Sequence, residues 1–166
     1  MTRIATHSKI VQFHKGIATA NKSINGFYRF NVIELTGKLR SGIQTPVLML
    51  ESHSLSLREN QNKTTTFADR NISFLLLDFA GKSDNYDKQE EVLDDLENVA
   101  LDIAAYLKHC HNDKTHWLYG MIENDTFQIQ KVGPILDNMY GWNVLYTLKN
   151  HEPMCYDASK WEWPTP

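Results

Sequence analysis

Ile72-Ser-Phe-Leu-Leu-Leu-Asp-Phe79 is the stretch on which the fold turns. Its β-branched, aromatic and nearly continuous apolar character is that of a central β-strand. Upstream, Pro46 precedes Val47-Leu48-Met49-Leu50, a run too short for an independent helix and bounded by turn-forming residues. It reads as a buried strand lying beside 72–79. Downstream, residues 81–85 make a turn, and a helix is expected over about 84–108. There Val92, Leu96, Val99, Ala100, Ile103 and Leu107 recur at helical spacing. Asp84, Asp87, Glu90, Glu91, Asp94, Asp95 and Glu97 crowd its first half and Lys108 its end, the charge order that a helix dipole favours.

Further out, Ile10, Val11, His14, Ile17 and Ala18 predict a first helix over about 8–22, with Ser8 as its cap. Val32, Leu35 and Leu39 predict a short second helix over 31–40. Residues 51–68 are polar without a persistent period and read as an extended arm or long hairpin, the first candidate interface, with Arg58 and Phe67 on it. In the last third, Phe127-Gln-Ile129-Gln and Trp142-Asn-Val144-Leu-Tyr146-Thr-Leu148 alternate as strands. The connector between them is too short for a crossover helix, so antiparallel pairing is expected. Residues 117–122 are offered as one more strand, turning through Glu123-Asn124-Asp125. The tail, about 153–166, carries Trp161 and Trp163 among prolines that keep it irregular. It either packs at home or reaches a neighbour. The fold class that results is α+β, a single domain over 1–166 with a small mixed or mainly antiparallel sheet covered on one face by helices.

The chain has 166 residues, 42% of them hydrophobic and 22% charged, with a net charge of −3. That length buries roughly 70% of the unfolded surface without staples. No run approaches a membrane span or the apolar core of a signal peptide, so a cytoplasmic site of synthesis is expected. The 17 basic against 20 acidic residues leave no basic excess for nucleic acid. The two cysteines, Cys110 and Cys155, read as reduced thiols.

The chemistry-bearing residues are few. His109-Cys110-His111-Asn112-Asp113 with His116 is the densest group of metal-ligand types, and zinc accepts both imidazole and thiolate. His109 and His111 stand two apart, however, so they point apart on a helix, and histidines suit a helix C-terminus for dipole reasons alone. A small metal-binding protein or enzyme built on this group is the alternative reading. The acids of the long helix are either a solvated face or a docking face, with Asp87, Glu91, Asp94 and Asp95 as candidates. As a catalytic cluster they would need burial that nothing in the pattern supplies. The phosphate-loop, dinucleotide, nucleophile-elbow and zinc-protease signatures do not occur, and Cys155 near His151 is not by itself an activated nucleophile. The sequence therefore reads as a non-enzyme without cofactor or metal.

The order of elements resembles the tail-terminator and neck-ring (head-tail connector) proteins of tailed bacteriophages. The likeness runs over about residues 46–150. It is carried by Pro46-Val-Leu-Met-Leu-Glu51, by Ile72-Ser-Phe-Leu-Leu-Leu-Asp-Phe79 with the acidic helix behind it, and by the closing segment Phe127 to Lys149. A similar arrangement occurs in contractile injection machines. The resemblance implies a structural virion protein that self-assembles into a ring, made in the bacterial host cytoplasm. Its neighbours would be neck, portal or tail-tube proteins, with no catalytic residues, no sequence-specific nucleic acid and no membrane. The arm at 51–68 and the Trp161/Trp163 tail depart from that pattern. An acidic-helix interaction module is the remaining alternative.

Overall fold

The computed structural model describes residues 3–30, 42–136 and 138–162. Two helices and six strands run in the order α1 (His7–Ala20), β1 (Gly26–Phe30), β2 (Val47–Glu51), β3 (Ser54–Glu59), β4 (Thr66–Phe79), α2 (Tyr86–Asn112), β5 (Ile122–Ile135) and β6 (Met139–His151). The fold is α+β, with one mixed sheet ordered β1-β2-β4-β6-β5 and β3 paired to β4 beside that path. Only β1 and β2 are parallel; every other pairing is antiparallel.

β4 organises the sheet because it is long enough to take three partners. Its C-terminal half sets Phe74 to Leu77 against Leu50 to Val47 of β2. Its N-terminal half sets Thr66 to Asn71 against Glu59 to Ser54 of β3. Along the other edge β6 pairs with it over thirteen positions, from Phe67 opposite His151 to Phe79 opposite Met139. Alternation then sorts the side chains. Ile72, Phe74 and Leu76 join Leu48, Leu50, Val144, Tyr146 and Leu148 in the core beneath the helices. Leu75 and Leu77 join Phe30, Val47, Met49 and Met139 in a smaller cluster on the opposite face.

Both helices lie over the first of these faces. Thr6 caps α1 by accepting from the Lys9 amide at 3.3 Å, so the cap falls two residues before the expected Ser8. Ile10, His14, Ile17 and Ala18 are its buried face. Asn85 caps α2 through the Lys88 amide at 3.2 Å. From there α2 runs 27 residues, burying the expected stripe together with Gln89, Leu93 and Cys110. Across the core, His14 donates from Nδ1 to the Ile10 carbonyl at 2.8 Å, which leaves Nε2 to accept from the Tyr146 hydroxyl at 2.9 Å. Burial holds this imidazole down to a pKa of about 4. Glycine is obligatory at 141, where a Cβ would stand 1.8 Å from the Leu76 carbonyl oxygen.

Two expectations are corrected and one falls elsewhere. Residues 117–121 form turns, and β5 starts only at Ile122. The histidines explain this, since His116 Nδ1 accepts from the Leu118 amide at 3.2 Å and His111 Nδ1 from the Ile122 amide at 3.1 Å. Glu123-Asn124-Asp125 is accordingly no hairpin turn; it lies inside β5, at the register shift between Glu123 and Gln128. The 27–30 segment, unassigned in the sequence, forms β1 on β2. The helix expected over 31–40 lies outside the described residues.

Candidate assembly surfaces

The polar stretch 51–68 folds as the hairpin β3–β4, closed by Asn60, whose Oδ1 accepts from the Thr64 and Thr65 amides at 2.7 and 3.1 Å. All six residues of β3 are exposed. Arg58 stands opposite Phe67 in the register. Its guanidinium pairs with Asp69 Oδ2 and lies 3.9 Å from Glu123 Oε1. Glu123 in turn receives Lys149 Nζ at 2.9 Å, and the same ammonium sits 5.5 Å above the Phe67 ring. Two cations and two carboxylates from β3, β4, β5 and β6 thus tie the arm across the sheet, on the face away from the helices. Arg58 and Phe67, singled out in the sequence, belong to this group. Asp69, Glu123 and Lys149 escape sequence reading because only the strand register brings them together.

On the helix side of the same strands lies a buried ion pair that the sequence also hides. Arg70 donates to Asn150 Oδ1 at 2.6 Å and to Glu152 Oε2 at 3.2 Å, with both charged side chains about 95% buried. Arg3 Nε approaches the other Glu152 oxygen at 3.1 Å, as an ion pair without hydrogen-bond alignment. Next to it the His7 and His53 rings stack at 5.3 Å. Burial, then the neighbouring His7 and Arg70 charges, lower the His53 pKa. One signal was available: an Asp69-Arg70 pair adjoining an apolar strand demands partners if the strand continues into it.

No protein-family model matches the chain, and no curated protein matches it in sequence.

The remaining candidates separate in space and character. Asp87, Glu91, Asp94 and Asp95 are all exposed on the outer face of α2, and Glu91 meets Lys88 at 2.9 Å. The His109–His116 group does not converge. His109 is exposed in the last turn of α2 and Cys110 is buried, while His111 and His116 each spend a ring nitrogen on a backbone amide. Burial pushes the Cys110 thiol pKa up, away from the thiolate that metal or nucleophilic chemistry needs. Among the described residues no three His, Cys, Asp or Glu side chains are placed to hold a metal ion, and no helix is long and apolar enough to cross a membrane. His151 packs edge-on against Phe67 at 6.4 Å, and Cys155 is exposed beyond it. In the tail, Trp161 is half exposed, with its ring 6.2 Å from that of Tyr156; Trp163 lies outside the described residues.

Proposed function

We propose that this chain is a ring-forming structural protein of the neck or tail of a tailed bacteriophage, a tail terminator or head-tail connector subunit working by assembly and by joining adjacent rings. The observation that carries the reading is a sheet backed by helices on one face only, which leaves the other face to meet a neighbouring subunit. The element order that prompted the resemblance, strand, arm, strand, long acidic helix and closing antiparallel pair, supports the same reading.

The mechanism is geometric. A head-to-tail contact repeated about an axis closes a ring, and the faces of that ring meet the portal or tail tube. Strand edges and apolar contacts hold the subunits, while the exposed acids of α2 line a channel or meet a basic neighbour. No bond of a substrate is made or broken.

Light scattering over a wide concentration range, with negative-stain imaging of the same fractions, tests this. Closed rings of uniform diameter are the expected result. A protein that forms no ring alone and none when mixed with portal or tail-tube proteins would overturn the reading.

A further inference from the structure

The outer edge of β3 carries a second, independent message, because its sequence is complementary to itself. Residues Ser54-Leu-Ser-Leu-Arg-Glu59 are all exposed, including Leu55 at 54% and Leu57 at 49%, and among the described residues β3 pairs only with β4. Two exposed leucines on an edge strand are unusual, since edges normally carry charge against unwanted pairing. By register with β4, Leu55 faces the helix side with Arg70, while Ser54 and Ser56 face the open side with Asn71 and Asp69.

We propose that β3 is a homodimer edge, pairing antiparallel with β3 of a second copy about a two-fold axis through Ser56. Residues opposite one another in an antiparallel pair share a sheet face, so a two-fold contact must centre on a residue rather than between two. Centring on Ser56 sets Leu55 against the partner's Leu57 and Leu57 against the partner's Leu55, a four-leucine patch on the helix side. The same register sets His53 against the partner's Glu59, imidazole against carboxylate, and Ser54 against the partner's Arg58. Neighbouring registers lose this match. Centring on Leu55 opposes Leu57 to the partner's His53 and leaves that leucine unmatched. Centring on Leu57 places Leu55 against the partner's Glu59. Leucine pairing, with a hydrogen bond from the His53 imidazole to the partner's Glu59 carboxylate, therefore selects one register and one occupant, a second copy of this chain. The result is one sheet continuous through both subunits, an isologous contact distinct from the head-to-tail one of a ring.

Cysteine cross-linking in a Cys155→Ser background tests the register, since Cys110 is buried. Ser56→Cys places two thiols opposite each other at Cα separations of roughly 4.5 to 5.5 Å, within disulfide reach. Under mild oxidation it is expected to give a reducible dimer about tenfold faster than Ser54→Cys, which faces Arg58 instead. Leu57→Lys is expected to weaken dimerisation by at least about tenfold, roughly 1.4 kcal/mol, with its thermal midpoint confirming an intact fold. Cross-linking as fast through Ser54→Cys, or a monomer at all concentrations with no Ser56→Cys dimer, overturns the proposal. Rings without the Ser56→Cys cross-link would remove this contact and leave the ring reading standing. The cross-link without rings would do the reverse.

Discussion

The two halves of β4 share one backbone and the same partner on one edge, yet they are built on opposite principles. From Ile72 to Leu77 the strand is flanked by β2 and β6 and carries apolar side chains on both faces, with Phe74, Leu76 and Leu77 fully buried. From Thr66 to Asn71 it is flanked by β3 and β6 and carries Asp69 toward one face and Arg70 toward the other, both nearly buried and both paired with charge. The first half is held chiefly by burial, with one polar exception in Ser73, whose hydroxyl donates to Asn143 Oδ1 at 3.0 Å. The second half depends on particular partners, since an unpaired buried charge costs more than the pair contributes. A strand can thus pass from core to platform within a few residues when the elements covering it change.

The sharpest way to break the contrast is to injure each half in the manner suited to it. Leu76→Ala is expected to cost about 4 to 5 kcal/mol in urea unfolding, because the site is fully enclosed and collapses poorly. Arg70→Met leaves Glu152 buried without its main cation and is expected to cost about 4 kcal/mol. Adding Glu152→Leu to it is expected to return most of that loss. A single variant that proves mild would mean that Arg3, already 3.1 Å from Glu152, suffices as counterion.

Acid probes the same boundary through His14. Its folded pKa of about 4 lies below the ordinary imidazole value of 6.5, so the unfolded chain binds the extra proton between those values. The contribution of the neutral imidazole is therefore fully present above pH 6.5 and is lost as pH falls toward 4, for a total of about 3 kcal/mol. Unfolding titrations at pH 7 and pH 4.5 should show a steeper loss for the native protein than for His14→Gln; equal slopes would mean that the imidazole is hydrated in the folded state. The smallest effect is on the surface. Lys88→Ala, removing the exposed pair with Glu91, is expected to lower the thermal midpoint only marginally and to lose even that effect in high salt.

Hydropathy made the apolar half of β4 readable, and with it β2, α1, α2 and the final antiparallel pair. It reads burial well and partners badly. Asp69, Arg70, Glu123, Lys149 and Glu152 lie 11 to 149 positions apart in sequence from the charged groups they meet, so no local pattern announces them. β1 is only five residues long, and its parallel pairing depends on β2 rather than on any period of its own. At 117–121 apolar content pointed to a strand, but two imidazoles accepting backbone N–H groups favoured turns instead. Of the candidate surface residues, the arm pair Arg58 and Phe67 came from the polar character of 51–68. That the arm is braced from beneath was legible only in three dimensions.

The position of β6 bears on how the protein comes into being. It is the last of the described strands, yet it sits between β4 and β5 and supplies the Tyr146 hydroxyl for His14 of α1. A nascent chain emerging from the ribosome therefore exposes one long edge of β4, and a buried-type imidazole without its donor partner, until almost all of the described strands have been made. Folding has to wait for that arrival, because the non-local pairings that close the sheet cannot form earlier. Termination before β6, at or before residue 138, would leave that strand edge open, the kind of species that aggregates and is cleared by chaperones and proteases.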